Sequence, residues 1–200
     1  AVMRTVTNAV IIAWGNNISG QATVPIGLTN VLAGAGGYAN SLALKKDGTI
    51  VAWGGNEMGQ SSVPAGLSNV VAVAGGGFHS LALKGDGTVV AWGINNLSQS
   101  SVPSGLSNVT AIAAGDSHSL ALKSDGTVAV WGDTNFGQAT IPPGLSNVVA
   151  VAVGVVHSLA LKGDGTVVAW GFNNAVQATV PAGLSNAVAI AAGGSHSLAL

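Results

Sequence analysis

The sequence predicts an all-β fold, a β-propeller of five 39-residue blades, on three observations. Trp14, Trp53, Trp92, Trp131 and Trp170 fall 39 residues apart with no insertion or deletion between them, so one unit is copied five times. Each unit holds three short apolar runs bounded by Gly, Asn or Pro, and no stretch keeps an amphipathic helical period. Both faces of each run are apolar and differ mainly in size, which suits a radial stack in which the large face of one sheet fills the small face of the next.

Residues 1 to 15 are the least regular copy, keeping Ile11-Ile12-Ala13-Trp14-Gly15 but lacking the Asp-Gly pair of the others. Terminal repeats are commonly atypical. Each unit then passes through a polar loop, such as Asn16 to Gln21, a Val24-Pro25 pair and a Gly27-Leu28-Thr29-Asn30 turn. In the clearest unit the strands are read as Val70 to Ala74, His79 to Leu83 and Thr88 to Trp92. The Asp47-Gly48, Asp86-Gly87, Asp125-Gly126 and Asp164-Gly165 pairs are hairpin turns, with Gly at positive φ and Asp capping the local backbone.

The chain is read as one domain over residues 1–200, with units ending near the five tryptophans. It opens with an orphan third strand and ends with an orphan first-and-second pair, Val188 to Leu200. Joining them would complete a fifth blade and remove two sheet edges. Ala1 to Thr5 are then surplus, expected to fray or to add an outer strand.

Composition excludes several function classes. Charged residues make up 6% of the chain, against roughly 25% in an ordinary domain. Six basic and seven acidic residues provide no patch for phosphates, so nucleic acid is not an expected partner. Mean hydropathy is high, +0.53, yet the longest apolar run, Val148 to Val156, is far short of the roughly 20 residues of a helical membrane span. There is no cysteine, which removes disulfides and thiolate metal sites.

The unit Gly-x-x-His-Ser-Leu-Ala-Leu-Lys-x-Asp-Gly-Thr-Val-x-x-Trp-Gly-x-Asn-x-x-x-Gln closely resembles the regulator-of-chromosome-condensation repeat, a propeller blade, and it covers practically the whole chain. The short unit and its Val-Pro-x-Gly-Leu segment look most like secreted bacterial members, among them a β-lactamase inhibitory propeller with three-stranded blades. That resemblance implies an extracellular or cell-surface location and a protein partner gripped by one rim. Members usually have seven blades, so five is a departure.

His79, His118, His157 and His196 recur once per blade, with Asn40 in the equivalent place. Equivalent positions in adjacent blades should lie about 10 Å apart, too far for shared zinc ligands near 2 Å. The imidazoles are therefore expected to be structural, each bonding a loop carbonyl at its strand start. Adjacent strand residues face opposite ways, so His118 and Ser119 cannot share a proton as a nucleophile and base. Gly75-Gly76-Gly77 precedes no helix and is no phosphate loop. No catalytic, cofactor or metal site is expected.

If the first strand runs up, both the turn after it and the loop after the Trp lie at the top, and the Lys-x-Asp-Gly turn at the bottom. The bottom is nearly uniform. Variation gathers on top, at Tyr38, Phe78, Asp116, Val155 and Val156 in one set of turns and at Met58, Ile94, Leu97, Asp133, Phe136 and Phe172 in the other. Apolar residues on loops of a rigid scaffold suit protein binding. The expected function is a non-catalytic protein-binding scaffold. The alternatives are a structural or self-assembling module of a larger surface protein, with homo-oligomers formed through the terminal strands, and, third, an enzyme.

Overall fold

The computed structural model describes residues 10–200. Four three-stranded antiparallel sheets follow one another. Blade 1 comprises β1 (Val31–Gly36), β2 (Asn40–Lys45) and β3 (Ile50–Gly54), and blade 2 comprises β4 (Val70–Gly75), β5 (His79–Lys84) and β6 (Val89–Gly93). Blade 3 holds β7 (Val109–Ala114), β8 (His118–Lys123) and β9 (Val128–Gly132), and blade 4 holds β10 (Val148–Val153), β11 (His157–Lys162) and β12 (Val167–Gly171). A fifth sheet pairs β13 (Ile190–Ala192) with β14 (Ser197–Ala199). These strands match the expected ones to within a residue or two. Among the described residues no helix is long and apolar enough to cross a membrane.

The middle strand shows why the sheets stack. Along β5, His79, Leu81 and Leu83 point to one face and Ser80 and Ala82 to the other, and all are buried. Leu42 and Leu44 of blade 1 pack on Ala82 and Trp92 of blade 2, and Leu120 and Leu122 of blade 3 on Ala160 and Trp170 of blade 4. Bulk on one blade thus meets small residues and a Trp on the next. First strands of successive blades neighbour one another, which places them nearest the axis and the third strands outermost.

Backbone hydrogen bonds fasten the blades at both ends. At one end the Asp-Gly turn carbonyl accepts from the next blade, Val70 N–H to Gly48 O at 3.1 Å and Val109 N–H to Gly87 O at 3.0 Å. At the other, Tyr38 N–H reaches Gly76 O and Gly77 N–H reaches Gly115 O, both at 3.1 Å. The turns themselves form as expected. Asp86 accepts from the Thr88 N–H at 3.0 Å and from its Oγ at 2.6 Å, and Lys84 Nζ lies 2.9 Å away. These bonds hold all four turn carboxylates below the ordinary range, Asp47 at about 2, with the Thr hydroxyl the leading cause at Asp47, Asp86 and Asp125 and the Thr N–H at Asp164.

One loop position is strained. Gly20, Gly59 and Gly137 occupy it with φ of 75 to 79°, Ser98 with 65° and Val176 with 64°. A β-branched residue pays a steric cost in the left-handed region. Val176→Gly is expected to raise stability by about 1 kcal/mol, read as an upward shift of the thermal midpoint.

The fifth sheet is the closing pair β13–β14, and the N-terminal strand expected beside it lies partly outside the described residues. Among the described residues no strand joins the outer edge of β14, and residues 10–14 take no strand pairing. Trp14 is 86% exposed, whereas Trp53, Trp92, Trp131 and Trp170 are 7 to 8% exposed. The surplus residues Ala1 to Thr5 lie outside the described part of the chain.

Candidate protein-binding rim

Register places the variable residues at one end. β5 pairs with β6 so that His79 opposes Gly93, and with β4 so that Ser80 opposes Gly75. The first turn and the post-Trp loop of each blade therefore emerge together. They are also bonded to each other, Ile94 N–H to Phe78 O, Asp133 N–H to Ser117 O and Phe172 N–H to Val156 O, all at 2.9 Å. The expected rim thus exists as a geometric surface.

Its residues divide by burial. Tyr38, Met58, Leu97, Phe136 and Val155 are exposed, while Phe78, Ile94, Asp116, Asp133, Val156 and Phe172 are half-buried. The half-buried aromatics support the exposed ones. Tyr38 and Phe78 lie 5.7 Å apart between ring centres, and Phe136 meets Phe172 edge-on at 4.8 Å. Ile18, outside the expected set, is 92% exposed in the loop position that Glu57 takes in the next unit. Around the axis the first turns of all five sheets line a depression of about 290 Å³, into which Tyr38, Asp116 and Val155 contribute.

Charge is unevenly divided between the ends. Glu57, Asp116 and Asp133 stand on the variable rim. At the opposite end each Asp is paired with a Lys, Lys45–Asp47 at 3.0 Å, Lys84–Asp86 at 2.9 Å, Lys123–Asp125 at 3.0 Å and Lys162–Asp164 at 3.3 Å.

Beneath the rim the histidines take a different partner from the one expected. His79, His118 and His157 each bond not a loop carbonyl but the serine of the next blade, His79 Nε2 to Ser119 Oγ at 2.9 Å, His118 to Ser158 and His157 to Ser197 at 3.0 Å. Asn40 does the same in blade 1, donating to Ser80 Oγ at 3.1 Å. The reason is the stacking. The His stands on the large face and the Ser on the small face, so successive blades bring them together. Each Ser hydroxyl donates to a glutamine carbonyl, Ser80 to Gln60 O and Ser119 to Gln99 O at 2.9 Å. The same carbonyl accepts the Trp indole N–H, Trp92 to Gln60 O and Trp131 to Gln99 O at 2.9 Å.

With its own proton committed to that carbonyl, the Ser accepts from the His, which assigns the neutral tautomer with the proton on Nε2. Nδ1 of His79, His118 and His157 is buried without a hydrogen-bond partner. Burial pushes His79 and His118 down to about 4 and lowers His157 as well. Gly76 backs the His79 ring. A Cβ there would run into Nδ1 and Cε1 and lie 2.6 Å from the Gly115 carbonyl. The His79–Ser119 and His118–Ser158 pairs are fully buried, and in all three pairs the hydroxyl proton points away from the imidazole, so the arrangement cannot make a nucleophile. Among the described residues no three His, Cys, Asp or Glu gather as metal ligands.

The chain is similar in fold to several solved propellers. Prp20p of Saccharomyces cerevisiae matches with a TM-score of 0.74 at 21% identity, over 84% of this chain and 55% of that one. Human WBSCR16 gives 0.73 at 22%, over 93% and 66%. The ectodomain of the Arabidopsis thaliana receptor kinase ACR4 gives 0.68 at 25%, over 90% and 65%. The chain thus spans about half to two-thirds of these proteins. No curated protein sequence matches it. The family described as Regulator of chromosome condensation (RCC1) repeat matches four times, over residues 31–60, 70–99, 109–138 and 148–175. Those matches take in more than half of the residues and coincide with blades 1 to 4 and the loops that follow them. The chain belongs to the RCC1 repeat family.

Proposed function

We propose that the chain is a non-catalytic scaffold that binds another protein through the rim of first turns and post-Trp loops. One observation carries this reading: Tyr38, Met58, Phe136 and Val155 remain 45 to 74% exposed on the same surface, while the residues of the blade interfaces are buried. Aromatic and Met side chains of this kind supply the anchors of protein interfaces. The acidic groups Glu57, Asp116 and Asp133 beside them favour a partner face carrying Lys or Arg around an apolar centre. Prp20p, similar in fold, is described with binding properties toward Gsp1p and histones. The short repeat's resemblance to secreted members supports an extracellular or cell-surface setting.

Partners captured on the immobilised chain are to be compared with those captured on Met58→Ala/Phe136→Ala and on a control altered at the opposite end, Lys84→Ala/Lys123→Ala. Affinity is expected to fall roughly tenfold or more for the rim variant alone. Equal binding by the two variants would overturn the rim assignment.

A further inference from the structure

The position after the central glycine of each first turn is where the chain departs from its own repeat. Gly37, Gly76, Gly115, Gly154 and Gly193 hold one place in the five units, and the next place is Tyr38, Gly77, Asp116, Val155 and Gly194 in turn. All of them line the axial depression of about 290 Å³. We infer that this depression receives one basic side chain, Arg or Lys, of a protein partner, with Asp116 as its counter-charge. The source of that side chain rests on the protein-binding reading above, and its chemistry rests on the depression alone.

The glycine floor is fixed by its neighbours. A Cβ on Gly76 would run into the His79 ring and lie 2.6 Å from Gly115 O, and one on Gly115 would lie 2.6 Å from His118 Nδ1 and 2.7 Å from Gly154 O. Backbone therefore forms the floor, and a run of glycine amides can cradle an anion. Here the amide hydrogens are spent on protein carbonyls. Gly76 donates to His79 O at 2.8 Å, and Gly115 and Gly154 donate to His118 O and His157 O at 2.9 Å. Gly77 reaches Gly115 O at 3.1 Å, Asp116 reaches Val155 O at 3.0 Å and Val155 reaches Gly194 O at 3.3 Å. A carbonyl that takes one N–H keeps a second lone pair, so what these turns still have to give is acceptor capacity. That favours a cation.

Asp116 adds the charge. It is half-buried, and Ser117 Oγ donates to its Oδ2 at 3.2 Å. Its Oδ1 lies over Gly77, where a Cβ would run into it, so glycine at 77 keeps a notch open between Tyr38 and Asp116. The Lys–Asp pairs stand at the opposite end and do not neutralise it. A carboxylate, an aromatic ring and the aliphatic Val155 around one opening match the parts of a long basic side chain. The charged head bonds Asp116, and the methylene stem lies along apolar surface. At about 290 Å³ the space is below the roughly 300 to 1,000 Å³ of pockets for drug-sized ligands and suits a single side chain. The notch belongs to blades 1 to 4, which are complete and tied to one another by the turn hydrogen bonds.

The test titrates the isotope-labelled chain with Nα-acetylarginine amide and Nα-acetyllysine amide and follows the backbone amide resonances of Gly77, Gly115 and Gly154. At least one of the two should move these signals saturably, with a Kd of about 1 mM. Nα-acetylcitrulline amide, the same shape without the charge, and guanidinium chloride, a head group without the stem, should each bind roughly fivefold more weakly or worse. Asp116→Asn should lose affinity to the same degree. So should Gly194→Leu, which fills the depression from its open side, since a Cβ there touches only Val155 Cγ2 at 3.7 Å. Ser107→Lys makes the same change of net charge at an exposed position of the opposite end and should leave the Kd within roughly twofold. An otherwise unchanged amide spectrum certifies the fold of each variant. No saturable movement with either cation, equal binding of the citrulline compound, or full binding by Asp116→Asn would overturn the inference. Equal binding of guanidinium chloride would overturn the assignment to a side chain in favour of a free small cation. Because the chain is titrated alone, a failed partner capture at the rim leaves these results unaltered.

Discussion

Lowering the pH from 7 to 4 is expected to destabilise the folded chain by about 3 kcal/mol for each of His79 and His118. A free imidazole titrates near 6.5 and a buried one near 4, and each pH unit between them is worth about 1.4 kcal/mol. The unfolded chain takes up protons that the folded one refuses. The stabilisation is therefore complete above pH 6.5 and erodes as the pH falls, reaching its limit below 4. His157 acts in the same direction. The turn aspartates behave differently, since their depressed values keep their contribution intact until the pH drops below the ordinary carboxylate range. Urea unfolding at a series of pH values reads the effect. Blade 1 also provides the control: His79→Asn with His118→Asn installs the Asn40 arrangement, which donates to the same Ser hydroxyl. That variant should fold and show a flatter profile between pH 6.5 and 4. A wild type equally stable at pH 7 and 5 would refute the neutral-imidazole assignment.

Trp131→Ala is expected to cost about 3 to 5 kcal/mol, and Trp14→Ala, in dilute solution, no more than about 0.5. The two residues stand at the same place in the repeat and differ only in their neighbours. Trp131 is 7% exposed, packs with Leu81, Leu83 and Ala121, and donates to Gln99 O at 2.9 Å. Its removal leaves a void between blades 2 and 3 that backbone hydrogen bonds at both ends keep from collapsing. Trp14 contributes only exposed surface. Chemical denaturation of both variants at low concentration gives the contrast directly, and equal losses would show that Trp14 is buried in solution.

Much of this architecture is legible in the residues. Strand positions follow from alternation between Gly, Asn and Pro, and the Asp-Gly hairpins from the φ that glycine permits. The rim follows from strand direction alone. The His–Ser bond was not legible in the same way, because His118 and Ser119 are neighbours in sequence while their partners are Ser158 and His79. One signal was available. Buried polar groups need partners, and His, Ser, Gln and Trp recur at one spacing, so a repeated network joining the four was the economical solution. The closing pair at the end of the chain was legible in the count of strands, while the turn between blades was not. Counting strands shows that a third strand at one end matches a pair at the other, but not how far each blade turns from the last.

The interface network has a constant reach along the chain. His meets Ser 40 residues on, Ser meets the Gln carbonyl 20 residues back, and Trp meets it 32 residues back. No contact in this network extends much beyond one unit. Excising or duplicating any whole 39-residue segment would rejoin ends that already fit, so the gene can lengthen or shorten by recombination between its own copies without a compensating change elsewhere. The His–Ser bond always points from a blade to its successor and the Ser and Trp bonds always point back, giving the stack a fixed polarity. Any added unit inherits that orientation, and the size of the particle becomes a property that inheritance can tune separately from its stability per blade.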